Sequence, residues 1–121
     1  MRYRHFSEMP VWKRAHGMIL RVYELSGEFP DSERYGLISQ MRRAAVSVTS
    51  NIAEGFGRRT SKDKARFYTF ARGSCYEVQS QGYVARDLTY LSPTTFAELN
   101  QTLDEIIHDL NKITKTLSTR P

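Results

Sequence analysis

Cysteine is almost absent from this chain: Cys75 stands alone among 121 residues, so no disulfide can close within it. A domain of this size buries roughly two-thirds of the surface its unfolded form exposes, so it needs no such staple. A lone thiol fits a reducing compartment. Histidine is also scarce. His5, His16 and His108 stand apart, and the di-iron centre that a helical bundle can hold would need a pair of Glu-x-x-His motifs, which does not occur. No metal or other cofactor is expected. No apolar run approaches the roughly 18 residues of a membrane helix. The basic start Met1-Arg2-Tyr3-Arg4-His5 is not followed by an apolar stretch of signal-peptide length. The expectation is a cytoplasmic chain without a membrane partner.

Catalytic signatures are missing as well. Gly55-Phe56-Gly57 contains G-x-G, but no strand precedes it and no third glycine follows at the dinucleotide spacing. No Arg-x(4–6)-His pair of the helical ribonuclease type is present, and Cys75 has no neighbouring histidine to activate it. The reading is a non-enzyme, with no catalytic residue and no evident small-molecule substrate.

What the sequence does hold is helical periodicity in four blocks. The first, about residues 8–26, places Val11, Ala15, Met18, Val22 and Leu25 at steps of three and four, flanked by Trp12, Ile19 and Tyr23. The second, 33–56, runs through Leu37, Met41, Ala44, Val48, Ile52 and Gly55, with Gly55 and Gly57 expected to close it in left-handed conformations. The third, 61–91, has Thr60 and Ser61 as caps and a seam of Phe67, Ala71, Ser74, Val78, Gln81, Ala85 and Leu88. Phe70, Glu77, Val84 and Leu91 flank that seam. The fourth, 93–118, opens at Ser92-Pro93 and carries the cleanest heptad: Phe96, Leu99, Leu103, Ile106, Leu110, Ile113 and Leu117. Short connections make neighbours antiparallel, so the fold expected is all-α, a single-domain antiparallel up-down four-helix bundle over residues 1–121.

Charge and buried polarity stand out against that frame. The net charge is +5, and the stretch from Arg42 to Arg72 holds eight basic and two acidic residues, a net +6 that leaves −1 for the remainder. Those eight are Arg42, Arg43, Arg58, Arg59, Lys62, Lys64, Arg66 and Arg72, which would meet phosphates by charge rather than read bases. Tyr68 and Tyr76 would add stacking against unpaired bases. The plain alternative is a solvated surface, or arginines paired with acids of neighbouring subunits. A second constellation is polar. Ser47, Asn51, Glu54 and Arg58 form a stripe beside the second seam, and Ser74, Gln81 and Glu77 lie on or next to the third. Unpaired buried polar groups cost a few kcal/mol, so Ser47, Asn51, Glu54, Ser74 and Glu77 are expected to form an inter-helix network. A subunit contact and a Glu54–Glu77 carboxylate pair are the competing readings.

Longer motifs add a resemblance. Val11-Trp12-Lys13-Arg14-Ala15, Phe29-Pro30 and Glu33-Arg34-Tyr35-Gly36-Leu37 are followed by Gln40-Met41-Arg42-Arg43-Ala44-Ala45-Val46-Ser47-Val48. Then come Ser50-Asn51-Ile52-Ala53-Glu54-Gly55, Arg58, Phe67, Ala71, Gly73-Ser74, Glu77, Leu88 and Tyr90-Leu91. Over about residues 6–117 the chain resembles the 23S rRNA-intervening sequence proteins, four-helix bundle proteins some of which are encoded inside insertions in bacterial 23S rRNA genes. The resemblance implies the same fold, a homopentameric barrel-like assembly and, from the genomic setting, an association with RNA. Thr49 stands where the family usually has proline, which implies a milder kink in the second helix. Val78-Gln79-Ser80-Gln81 is less acidic than the family's usual Leu-Glu-Thr-Gln. The function expected is an oligomeric bundle that binds ribosomal or other structured RNA through a basic surface. The alternative is a protein-interaction scaffold using Trp12, Tyr23, Tyr35 and Tyr83.

Overall fold

Side-chain caps start the two long helices. Thr60 Oγ1 accepts from the Asp63 backbone N–H at 3.1 Å, and Ser92 Oγ accepts from that of Thr95 at 3.1 Å, with Pro93 opening the helix behind it. A computed structural model describes residues 3–119 and contains α1 (Pro10–Ser26), α2 (Leu37–Phe56), α3 (Ser61–Asp87) and α4 (Pro93–Ser118). Each helix packs on its sequence neighbours, and α4 returns to α1, which closes an antiparallel up-down bundle around one apolar core. There is no strand among the described residues.

Three boundaries differ from the periodicity. Helix α1 begins at Pro10 rather than residue 8, because proline lacks an N–H and sits best in the first turn; a 3-10 turn, Phe6–Glu8, precedes it. Helix α2 begins at Leu37 rather than Glu33. Glu33 ends a second 3-10 turn, Asp31–Glu33, and its carboxylate accepts from the Leu37 N–H at 3.2 Å, so it caps the helix from outside. Helix α3 stops at Asp87, four residues before Leu91. Thr89 has φ 65°, the only non-glycine among the described residues with positive φ. The Tyr90 N–H then reaches the Ala85 carbonyl at 2.8 Å and the Thr89 N–H reaches that of Arg86 at 2.9 Å. This is a Schellman closure with threonine at the position glycine normally takes.

The glycines expected in left-handed conformations do not adopt them. No described glycine has positive φ, and Gly57 ends α2 at φ −81°. Gly55 serves packing instead: a Cβ there would stand 2.8 Å from Cε1 of Tyr68. With Ala44, Ala45 and Ala71 also buried on these two helices, α2 and α3 make the most extensive helix contact in the bundle. Helix α2 runs unbroken through Thr49, whose hydroxyl donates to the Val46 carbonyl at 3.1 Å.

The core confirms the α4 heptad almost entirely. Phe96, Leu99, Leu103, Ile106, Leu110 and Leu117 are buried, with Ile113 half-buried. The seam of α3 is shifted: Tyr68, Ala71, Ser74, Cys75, Val78, Gln81, Gly82 and Ala85 face inward. Phe67 is half-buried, and Leu88 lies beyond the helix end and is exposed.

Candidate nucleic-acid interface and polar helix seam

The antiparallel order divides the bundle into two ends of opposite charge. One half comprises residues 3–19, 48–74 and 108–119; it has eleven basic and four acidic residues, a formal +7. The other comprises 20–47 and 75–107, with five basic and nine acidic residues, a formal −4. Arg2 and Arg120, outside the described residues, complete the total of +5.

The eight basic candidates do not share one face. Arg58, Arg59, Lys62, Lys64, Arg66 and Arg72 belong to the basic half, whereas Arg42 and Arg43 lie in the other. Arg42 is committed to α1: its Nε donates to Ser26 Oγ at 2.8 Å, its Nη2 donates to the Tyr23 carbonyl at 3.1 Å, and its guanidinium lies 4.5 Å from the Tyr23 ring centre. It thereby closes a helix C-terminus, where cationic donors are favoured. Lys64 does the same for α2, donating to the Phe56 carbonyl at 2.7 Å. Arg58 pairs with Glu54 at 3.0 Å and covers the Phe67 ring at 4.4 Å; Arg66 pairs with Asp63 at 2.9 Å and lies over Phe67 and Phe70. Arg72 Nη1 donates to Asn111 Oδ1 on α4 at 2.7 Å. Arg43, Arg59 and Lys62 are exposed and their side chains make no contact of this kind within the chain.

Of the two tyrosines considered for stacking, Tyr76 is exposed, but Tyr68 is only 4% exposed and cannot receive a base. Burial alone pushes the Tyr68 hydroxyl up to about 12. The exposed aromatic beside the basic cluster is Phe70. Its place on the flank of the third seam marked it as core, and that is why the sequence did not single it out.

The polar residues separate into two groups. Ser47 Oγ and Ser74 Oγ lie 2.8 Å apart across the α2–α3 seam, and Asn51 Nδ2 donates to the Ser47 carbonyl at 2.9 Å and to Ser47 Oγ at 3.1 Å. Glu54 turns instead to Arg58 on the surface. Glu77 is exposed and its carboxylate has no partner within the chain. Two polar contacts unforeseen in the sequence join other elements. Gln79 Nε2 donates to Asp104 Oδ1 on α4 at 2.7 Å, and the Tyr90 hydroxyl donates to Glu33 Oε2 at 3.0 Å. The acceptor raises the Tyr90 pKa, burial adds to that, and the negative charge of Glu33 acts in the same direction. No residue-type signal in a single sequence marks a pair 57 positions apart. Nothing in the structure partners the buried side-chain oxygens of Gln81 and Asn100.

The histidines are exposed. His16 stacks on Trp12 with ring centres 4.9 Å apart, and His5 Nδ1 lies 2.8 Å from Ser7 Oγ. Among the described residues no group of three or more His, Cys, Asp or Glu could hold a metal ion. Cys75 is fully buried, and desolvation pushes its thiol up to about 12, away from thiolate chemistry. No helix among the described residues is long and apolar enough to cross a membrane.

Comparison with known proteins agrees with this architecture. No curated protein matches the sequence. One solved structure that resembles it is a protein with unknown function from the S23 ribosomal protein family of Bacteroides thetaiotaomicron. It superposes with a TM-score of 0.78 at 18% identity, covering 87% of this chain and 98% of that one. At that identity the likeness speaks for the fold. The sequence profile of the 23S rRNA-intervening sequence protein matches residues 7–112. The motifs, the four-helix architecture and this match agree: the chain belongs to the 23S rRNA-intervening sequence protein family.

Proposed function

We propose that this protein is a non-enzymatic homo-oligomer, a pentamer by family resemblance, that binds RNA through the basic end of its bundle. The observation that carries the RNA reading is the charge division, +7 at one end against −4 at the other. Arg59 and Lys62 project there without in-chain partners, beside Arg58, Arg66 and the exposed ring of Phe70. Lysine and arginine on such a surface bind phosphates through counterion release, and an exposed aromatic ring adds sequence-tolerant stacking. The family name is consistent with ribosomal RNA as the target class. Arg58, Arg59, Lys62 and Arg66 are the proposed centre of this surface; the bonds of Arg42 to the end of α1 favour a structural role for that residue.

The oligomer is supported by α3. Its outward surface towards the acidic end exposes Tyr76, Tyr83 and Val84, with Leu88 just past its end. Adjacent apolar exposure of this kind marks a surface that another protein covers. If RNA binding is absent, the same surface favours the scaffold reading, in which partner contact is the whole function.

The decisive experiment is light-scattering mass on the purified protein before and after nuclease, followed by RNA titration at several salt concentrations. Expected are a defined oligomer and an RNA affinity that falls steeply with salt, by about 0.7 in log K per log unit of salt for each single-stranded phosphate engaged. The double charge reversal Arg59→Glu with Lys62→Glu should weaken RNA at least tenfold and leave the mass unchanged. A clean oligomer that takes up no RNA at low salt overturns the RNA reading and leaves the scaffold.

A further inference from the structure

At the basic end, between the start of α1, the α2–α3 connection and the last turns of α4, lies a cavity of about 540 Å3. That volume is within the range of small-molecule sites, and its walls are mostly apolar: Met9, Val11, Phe56, Ile113 and Leu117. One polar group lines it from the core. Tyr68 is 4% exposed, and its hydroxyl makes no hydrogen bond within the chain. Among the described residues only the Gln81 and Asn100 side-chain oxygens are sealed from solvent without a partner, so the Tyr68 hydroxyl is open to the cavity and available to a ligand. The ring is held in place from behind by Gly55, where any side chain would collide with it.

The charged residues around the cavity restrict what could enter. Arg14, Lys112 and Asp109 stand among its described lining residues. Arg14 is already paired with Asp109, whereas the Lys112 side chain makes no ion pair or hydrogen bond within the chain. With Asp109 neutralised by Arg14, one ammonium, that of Lys112, remains to be matched. A cation would be repelled by it and an uncharged molecule would leave it unmatched, whereas a singly charged head on an apolar body satisfies both the lining and the rim.

We propose that this cavity binds a medium-chain monocarboxylate. Its alkyl chain lies among Met9, Val11, Phe56 and Leu117, and its carboxylate accepts from the Tyr68 hydroxyl and faces the Lys112 ammonium. This site is independent of the RNA reading, since neither Arg59 nor Lys62 lines it.

The test is calorimetric titration of the full-length protein with octanoate, octanol and butyrate at fixed ionic strength. Octanoate should bind saturably with one site per chain, and octanol and butyrate at least tenfold more weakly. Tyr68→Phe and Lys112→Met should each weaken octanoate about fivefold. Thr116→Trp, at an exposed position on the cavity wall, should block it while the thermal melt stays close to that of the parent. Uptake that does not saturate, octanol binding as tightly as octanoate, or full binding by a folded Thr116→Trp protein would each overturn the proposal.

Discussion

Helices α3 and α4 are of nearly equal length and pack against each other, yet they are built on opposite plans. Helix α4 buries large apolar side chains, Phe96, Leu99, Leu103, Ile106, Ile107, Leu110 and Leu117, and exposes none of that kind. Helix α3 buries mostly small residues, Ala71, Ser74, Cys75, Gly82 and Ala85, beside Tyr68, Val78 and Gln81, and leaves Phe70, Tyr76, Tyr83 and Val84 exposed. A helix of the first kind contributes burial, at roughly 25 cal/mol per Å2 of apolar surface removed from water. A helix of the second kind contributes proximity: small inward residues bring α2 close, and outward ones remain for a further surface. The bundle's stability is therefore expected to depend on α4, and its associations on α3.

Truncation should expose that difference most clearly. Leu103→Ala removes a fully buried branched side chain, and a loss of about 2–5 kcal/mol in urea unfolding is expected. A loss under 1 kcal/mol would show that α4 is not the core's main support. On α3 the sensitive change is addition rather than removal. Gly55→Ala on the facing helix drives a methyl into the Tyr68 ring, and about 1–3 kcal/mol should be lost by the same assay.

The buried titratable groups of α3 give the bundle a pH dependence. Cys75 ionises near 9.0 when unfolded and near about 12 when folded. Its contribution is fully present below pH 9 and is lost as pH rises from there towards 12, at about 1.4 kcal/mol per unit for this group. Between pH 8 and 10.5 the parent should therefore lose more stability than Cys75→Ala; equal slopes would refute the assignment. Smaller is the gain expected at the helix end. Thr89→Gly relieves a left-handed β-branched residue, and a stabilisation of about 1 kcal/mol should raise the melting temperature by several degrees. The least effect is expected for Ser74→Ala, under about 1 kcal/mol, because Asn51 still bonds Ser47 when Ser74 no longer does.

The fold was readable because its determinants are periodic or local. Spacing placed the α4 seam, and Thr60 and Ser92 announced two helix starts through chemistry contained within four residues. The end of α3 was not readable, since a threonine occupies the place where a glycine would have signalled the turn. The basic candidates were visible as a run in the chain but not as a surface. Arg42 and Arg43 are neighbours in sequence, yet one closes α1 and the other faces solvent, and a rotation of 100° per residue separates them. The cavity beside Tyr68 left no sequence signal, because it is assembled from all four helices and the segment before α1.

The uneven placement of charge along the bundle has a kinetic meaning as well. A body carrying +7 at one end and −4 at the other is a long dipole, and a polyanion's field turns such a body before the two touch. Encounters led by the acidic end are repelled and those led by the basic end are drawn in. For the proposed RNA binding, much of the orientational search that slows docking would thus be completed in solution, and raising the ionic strength would slow the association rate before it affected the bound contacts.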